Sequence, residues 1–120
     1  MLTYFDERKY NFIDSIIENI CLDDNLTDFL IKINYYQGKL PSKNVVLRLK
    51  NVKSFYYNTS AKNALTDIRV ILTIANISLI KSSADLQKLI IDSAYTFMPN
   101  HEDDMPLISC ICEGVFIDEE

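Results

Sequence analysis

The sequence predicts an α+β fold that is predominantly β, an antiparallel sheet or β-sandwich with an N-terminal helix and the option of a second short helix. Three observations lead there. Isoleucine is the commonest residue, and its β-branched bulk suits strands. From Thr27 onward apolar residues recur at every second position. The strand-like segments follow one another through short polar turns, a layout that favours antiparallel pairing over βαβ units. With 120 residues, 48% of them hydrophobic, and only 2 glycines and 3 prolines, the chain is expected to form a single domain around its own core.

The helix is expected to open at Asp6, a good N-cap, with Phe5 and Tyr10 closing a hydrophobic staple. Tyr10, Ile13, Ile16, Ile17 and Ile20 would form its apolar stripe, Asn11, Asp14, Ser15, Glu18 and Asn19 its polar face, and Asp23-Asp24-Asn25 its end. Next, Phe29, Ile31, Ile33 and Tyr35 alternate with Lys32 and Asn34. After a turn at Gly38 to Ser42 the alternation resumes in Val45, Leu47 and Leu49, with Arg48 and Lys50 outward, so a hairpin is expected. A weak internal similarity links 45–52 with 70–77. In both segments the alternation changes phase at an asparagine, Asn51 or Asn76, which predicts strands bent there by a bulge or tight turn.

Asn58 to Thr66 reads as a polar loop. Residues 84–98 admit two readings, a short helix capped by Ser82 to Asp85 and carrying Leu86, Leu89 and Ile90, or a strand over Leu89 to Met98. Pro99 to Pro106 is a loop in either case, and Leu107 to Ile117 is the last strand.

The net charge of -5 is distributed unevenly. Residues 1–28 hold seven acids and two bases, residues 29–88 two acids and ten bases, and residues 89–120 eight acids and no base. One reading places acidic ends beside basic strands. The other gathers the acids into a patch that steers a cationic partner. The aromatics Tyr35, Tyr36, Phe55, Tyr56 and Tyr57 within the basic block also fit a platform for single-stranded nucleic acid. The overall acidity and the lack of an RNP-like motif argue against that, and no nucleic-acid partner is expected.

Chemistry-bearing motifs are scarce. The single histidine, His101, lies near Cys110 and Cys112, but Cys-x-Cys lacks the spacing of a structural zinc knuckle, and two small buried cysteines are the simpler reading. A Ser-His-Asp or Cys-His pair has only His101 to draw on, and two glycines leave no room for a phosphate-cradling loop. No enzyme activity, metal or cofactor is expected. No apolar run is long enough for a membrane span, and Met1 to Glu7 lacks the basic stretch and apolar core of a signal peptide, so a cytoplasmic protein with no membrane partner is expected. An odd count of 3 cysteines agrees with that compartment.

In size, acidity and strand pattern over its whole length, the chain resembles the bacterial immunity proteins that accompany contact-dependent growth inhibition toxins and related polymorphic toxins. The resemblance is one of kind and transfers no family site. It implies a cytoplasmic inhibitor that neutralises a cognate toxin domain, often a basic nuclease, by covering its active site or substrate groove. On that reading Glu102, Asp103, Asp104, Asp118, Glu119 and Glu120, joined by Asp23 and Asp24, would stand where the nuclease holds phosphates. The alternatives are a small single-stranded nucleic-acid-binding module and a non-catalytic structural or adaptor subunit that self-associates through a strand edge.

Overall fold

Period-two alternation builds nearly every element of the computed structural model, which describes residues 2–58, 72–94, 96 and 105–119. The strands are β1 (Leu2–Tyr4), β2 (Ile16–Leu22), β3 (Phe29–Gln37), β4 (Leu40–Lys50), β5 (Ser54–Tyr57), β6 (Ile74–Lys81), β7 (Gln87–Ser93), β8 (Ile108–Cys112) and β9 (Gly114–Glu119). They form two antiparallel sheets, one of order β1-β9-β4-β3-β2 and one of order β5-β8-β7-β6.

The inward residues of both sheets share one core. Ile31, Ile33, Val45, Leu47, Leu49, Val115 and Ile117 from the first sheet meet Ile74, Leu89, Ile91, Ile108, Cys110 and Cys112 from the second, all fully or almost fully buried. Burying each of the larger aliphatic side chains stabilises the fold by about 2 kcal/mol relative to leaving it exposed. Phe29 and Phe55 stack across the layers with ring centroids 4.5 Å apart.

Two corners carry the chain from one sheet to the other. β4 runs into β5 through Asn51, whose φ of 48 places it in the left-handed region that asparagine tolerates. β8 runs into β9 through Glu113, so the expected last strand is one continuous segment split between sheets. The corners lie side by side: the Glu113 N–H donates to the Lys50 carbonyl at 2.8 Å, and the Asn51 side-chain amide donates to the Glu113 carboxylate at 3.1 Å. The phase flip at Asn76 has a different cause, a register shift between Ile74 and Asn76 that leaves Ala75 as a bulge on β6.

The expected N-terminal helix is not present. Asp6 does cap a helical turn, accepting the Arg8 N–H at 3.0 Å, but that turn is a 3₁₀ turn of three residues, Glu7–Lys9. Phe5 and Tyr10 touch as a staple would, with centroids 5.9 Å apart. The chain then extends into β2. Ile17 pairs with Ile33 and Asn19 with Lys32, which leaves Glu18 as an extra residue. This bulge puts Ile17 and Ile20 on the same face three residues apart, the spacing of a helical stripe. Ile13, counted in that stripe, is 53% exposed. Four β-branched residues in the segment favour the strand.

A second short helix is also absent at 84–90. Ser82 to Leu86 is the loop of the β6–β7 hairpin, closed by the Ser82 N–H to the Leu86 carbonyl at 2.9 Å. Of the strand expected over Leu89 to Met98, the part to Ser93 forms within Gln87–Ser93, Ala94 and Thr96 are turn, and residues 95, 97 and 98 lie outside the described residues. The β3–β4 hairpin forms as expected, but it turns more tightly, through Gly38 with φ 68, so Leu40 and Pro41 already belong to β4. Most of the expected loops at 58–66 and 99–106 lies outside the described residues. Among the described residues no helix is long and apolar enough to cross a membrane.

Candidate functional site

The acidic residues singled out from the sequence fall into separate places. Asp23 and Asp24 sit in the turn between β2 and β3. That turn is built by local side-chain caps: Asp23 accepts the Asp24 N–H at 2.8 Å, and Asn25 accepts the N–H groups of Thr27 and Asp28 at 3.1 and 3.0 Å. Leu26 lies within this turn with a φ of 62, in the left-handed region that leucine rarely adopts.

Outward parity on β4 aims Arg48 at this turn, where its Nη1 donates to both Asp23 and Asp28. Arg48 holds the Asp23 carboxyl below its ordinary range, helped by the Asp24 N–H. Burial pushes the Asp28 carboxyl up, yet it too ends below its ordinary range, because the Asn51 N–H at 2.9 Å, Asn25 and Arg48 outweigh burial. Asp28 is buried, so these bonds hold the turn against the β4–β5 corner.

Asp118 and Glu119 lie at the far end of β9. Glu119 accepts the Lys43 ammonium at 2.8 Å and the Tyr10 hydroxyl at 3.3 Å, and Lys43 holds its carboxyl below the ordinary range. Burial and then Glu119 push the Tyr10 hydroxyl up. Tyr10 belongs to an aromatic group with Phe5, Phe12 and Tyr35, at centroid separations of 5.1 to 5.9 Å. Asp118 stands opposite Val46 on β4 and Leu2 on β1 and is also engaged within the chain.

The β2–β3 turn and the β9 end are not one site. Three strand spacings separate β9 from β2, about 14 Å. Their anchor points on β4, Leu49 and Val45, lie four residues apart, about 13 Å along the strand. Glu102, Asp103, Asp104 and Glu120, together with His101, lie outside the described residues.

The structure does assemble acids along β2. This is the outermost strand of its sheet, and no base occurs between Lys9 and Lys32. Among the described residues Asp14, Glu18 and Asp24 are exposed and enter no ion pair, in contrast to Asp23, Asp28 and Glu119. Beside β2 a groove of roughly 420 Å³ opens toward β5, walled by Ile17, Ile20, Phe55 and Tyr57. Sequence reasoning placed Asp14 and Glu18 on the solvent side of a helix. The signal that finds them is the isoleucine-rich run with acids and no base, read as an edge strand.

The remaining chemistry-bearing residues have structural surroundings. Cys110 and Cys112 are buried on the inward face of β8, while Cys21 on β2 is exposed. Among the described residues no group of three or more His, Cys, Asp or Glu side chains is placed to hold a metal ion. In comparisons with known proteins, no family model, no curated protein and no solved structure matches this chain.

Proposed function

We propose that this protein is a non-catalytic inhibitor that binds a cationic protein partner, acting as an immunity protein does toward a basic nuclease toxin. One observation carries the reading: along an outermost strand Asp14, Glu18 and Asp24 are exposed and, among the described residues, enter no ion pair. Uncompensated carboxylates on an edge attract lysine- and arginine-rich surfaces and favour fast, salt-sensitive association. Asp23 and Glu119 contribute less, since each has an internal cation. The test is to mix the protein with a panel of basic nuclease domains and follow both binding and nuclease activity at low and high salt. Inhibition of at least one nuclease is expected, weakened by salt and by the triple change Asp14→Asn, Glu18→Gln, Asp24→Asn. Binding indifferent to ionic strength and to those changes refutes the electrostatic account.

One observation favours a second reading, a nucleic-acid-binding module. Tyr4, 79% exposed, lies tilted against Phe116 with centroids 4.7 Å apart, and the Lys50 ammonium lies 6.0 Å from the Phe116 ring centre, so an aromatic pair with a cation stands on the outer sheet face. That reading requires retention on single-stranded RNA that is lost in Tyr4→Ala and Lys50→Ala.

A further inference from the structure

Among the described residues the two sheets present four edge strands, and their backbones are protected unequally. β1 and β5 are short, at three and four residues. On β6 the Glu7 carboxylate accepts the Leu79 N–H at 2.9 Å and so caps the edge. Short edges and capped edges are ordinary defences against unwanted strand pairing. β2 has seven residues and, among the described residues, is defended only in its first half. There Ile16 bridges to Thr73, Ser15 accepts the Ile74 N–H at 2.7 Å, and the Glu18 bulge interrupts the ladder.

Beyond the bulge no described residue pairs with the edge. The Asp23 N–H donates to the Asp28 carbonyl at 2.8 Å, which marks residues 23 and 28 as a hydrogen-bonded pair. Alternation then makes Cys21 with Leu30 and Asn19 with Lys32 hydrogen-bonded pairs, so the N–H and C=O groups of Ile20 and Leu22 point away from β3. Among the described residues nothing pairs with them. The aromatic-walled groove toward β5 lies beside Ile17 to Ile20 and meets the unpaired stretch at Ile20, and Glu18 stands on its rim, with Asp24 just past the other end of the strand.

We infer that this edge takes an extended segment of the partner as a sixth strand of the sheet, and that the segment alternates apolar and basic residues. Its backbone would pair with Ile20 and Leu22. Every second side chain, apolar, would enter the groove against Ile20, Phe55 and Tyr57, and the basic ones would reach Glu18 and Asp24. The inference rests on the inhibitor reading for the partner's positive charge, but not for the strand addition itself.

The experiment uses the full chain and a seven-residue, end-capped peptide alternating lysine and valine, with two comparison peptides. One carries backbone N-methyl groups on alternate residues, and the other replaces lysine with glutamate. Binding and amide exchange are followed by NMR. The lysine peptide is expected to slow exchange at Ile20 and Leu22, and N-methylation on the pairing edge to weaken binding about tenfold, the effect of losing one or two backbone hydrogen bonds. The glutamate peptide and the Glu18→Gln, Asp24→Asn variant with the lysine peptide are expected to show at least about fivefold weaker binding at low salt.

Equal binding of the N-methylated peptide, or protection mapping elsewhere, overturns strand addition. Protection of Ile20 and Leu22 that rises with protein concentration alone also overturns it, by assigning the edge to a second copy. If a basic nuclease is inhibited while β2 is untouched, strand addition fails and the inhibitor reading stands. If the peptide pairs with β2 while no basic nuclease binds, the inhibitor reading fails and the edge assignment stands.

Discussion

Replacing the buried Asp28 by alanine should destabilise this protein more than replacing any of its exposed carboxylates. The Asp28 carboxylate is 5% exposed and accepts the Asn51 N–H at 2.9 Å and Arg48 Nη1 at 3.0 Å. Hydrogen bonds to a charged group are each worth about 1.5–3 kcal/mol, and an orphaned buried donor adds its desolvation cost. The loss of Arg48 is partly offset, because Arg48 keeps Asp23 and its side chain is 29% exposed. A net cost of about 3 kcal/mol follows, or roughly 12 °C in melting temperature for a chain of this length. Asp28→Asn keeps an acceptor for Asn51 and should lose about half as much. Thermal unfolding followed by circular dichroism reads the shift. The folded-state Asp28 carboxyl lies below its ordinary value of 3.8, so its stabilisation is present above that pH and is lost as pH falls through the folded value. The gap between native protein and Asp28→Ala should therefore be full at pH 7 and shrink on acidification below 3.8. A shift of less than about 2 °C at pH 7, or a gap that widens in acid, refutes the role given to this carboxylate.

At the corner itself, Asn51→Gly should leave stability within about 0.5 kcal/mol while Asn51→Val costs about 1–2 kcal/mol, because only the β-branched residue resists the left-handed backbone; urea unfolding separates them. Glu7→Ala removes the cap from β6, and hydrogen exchange at the Leu79 amide should rise about tenfold, with unchanged exchange refuting the cap. In the native protein one of the 3 thiols, Cys21, should react promptly with an aromatic disulfide reagent. Cys110, whose thiol is pushed up by its hydrogen bond with Cys112 and then by burial, should react with Cys112 only on unfolding, and prompt labelling of all 3 would refute their placement.

The β3–β4 hairpin was legible because nothing disturbs its alternation over Ile31, Ile33, Val45, Leu47 and Leu49. The bends were legible for a related reason: a phase flip at an asparagine has few physical solutions, and the chain uses two of them, a left-handed residue at 51 and a bulge beside 76. The N-terminal segment misled because the bulge at Glu18 converts a period of two into a spacing of three between Ile17 and Ile20, and sequence alone does not reveal where a ladder skips. The site was less legible still. Asp23 and Asp24 are neighbours of the same type, yet one is held by Arg48, 25 residues away, and the other faces solvent. That difference is set by turn geometry and by the parity of β4.

The charge blocks acquire their meaning from topology. The basic block supplies β3 and β4, the middle of the first sheet, and the acidic blocks supply β2 and β9 on either side. Opposite charges thus become strand neighbours, and Arg48 and Lys43 neutralise Asp23, Asp28 and Glu119 within the fold. This compensation requires a basic strand alongside. β9 lies between β4 and β1, whereas β2 has a basic neighbour on one side and, among the described residues, only the bridge at Ile16 on the other. At physiological salt, charges more than about 8 Å apart are largely screened, and although Lys32 on β3 stands opposite Asn19 beside the bulge, Asp14, Glu18 and Asp24 enter no ion pair among the described residues. Moving the same acids to a strand flanked by bases on both sides would leave composition and net charge unchanged and abolish the attraction proposed for a cationic partner. The acidity available to a partner is therefore a property of the edge position of β2, and charge-swapped variants that exchange Glu18 with Lys32 should lose salt-sensitive binding at constant net charge.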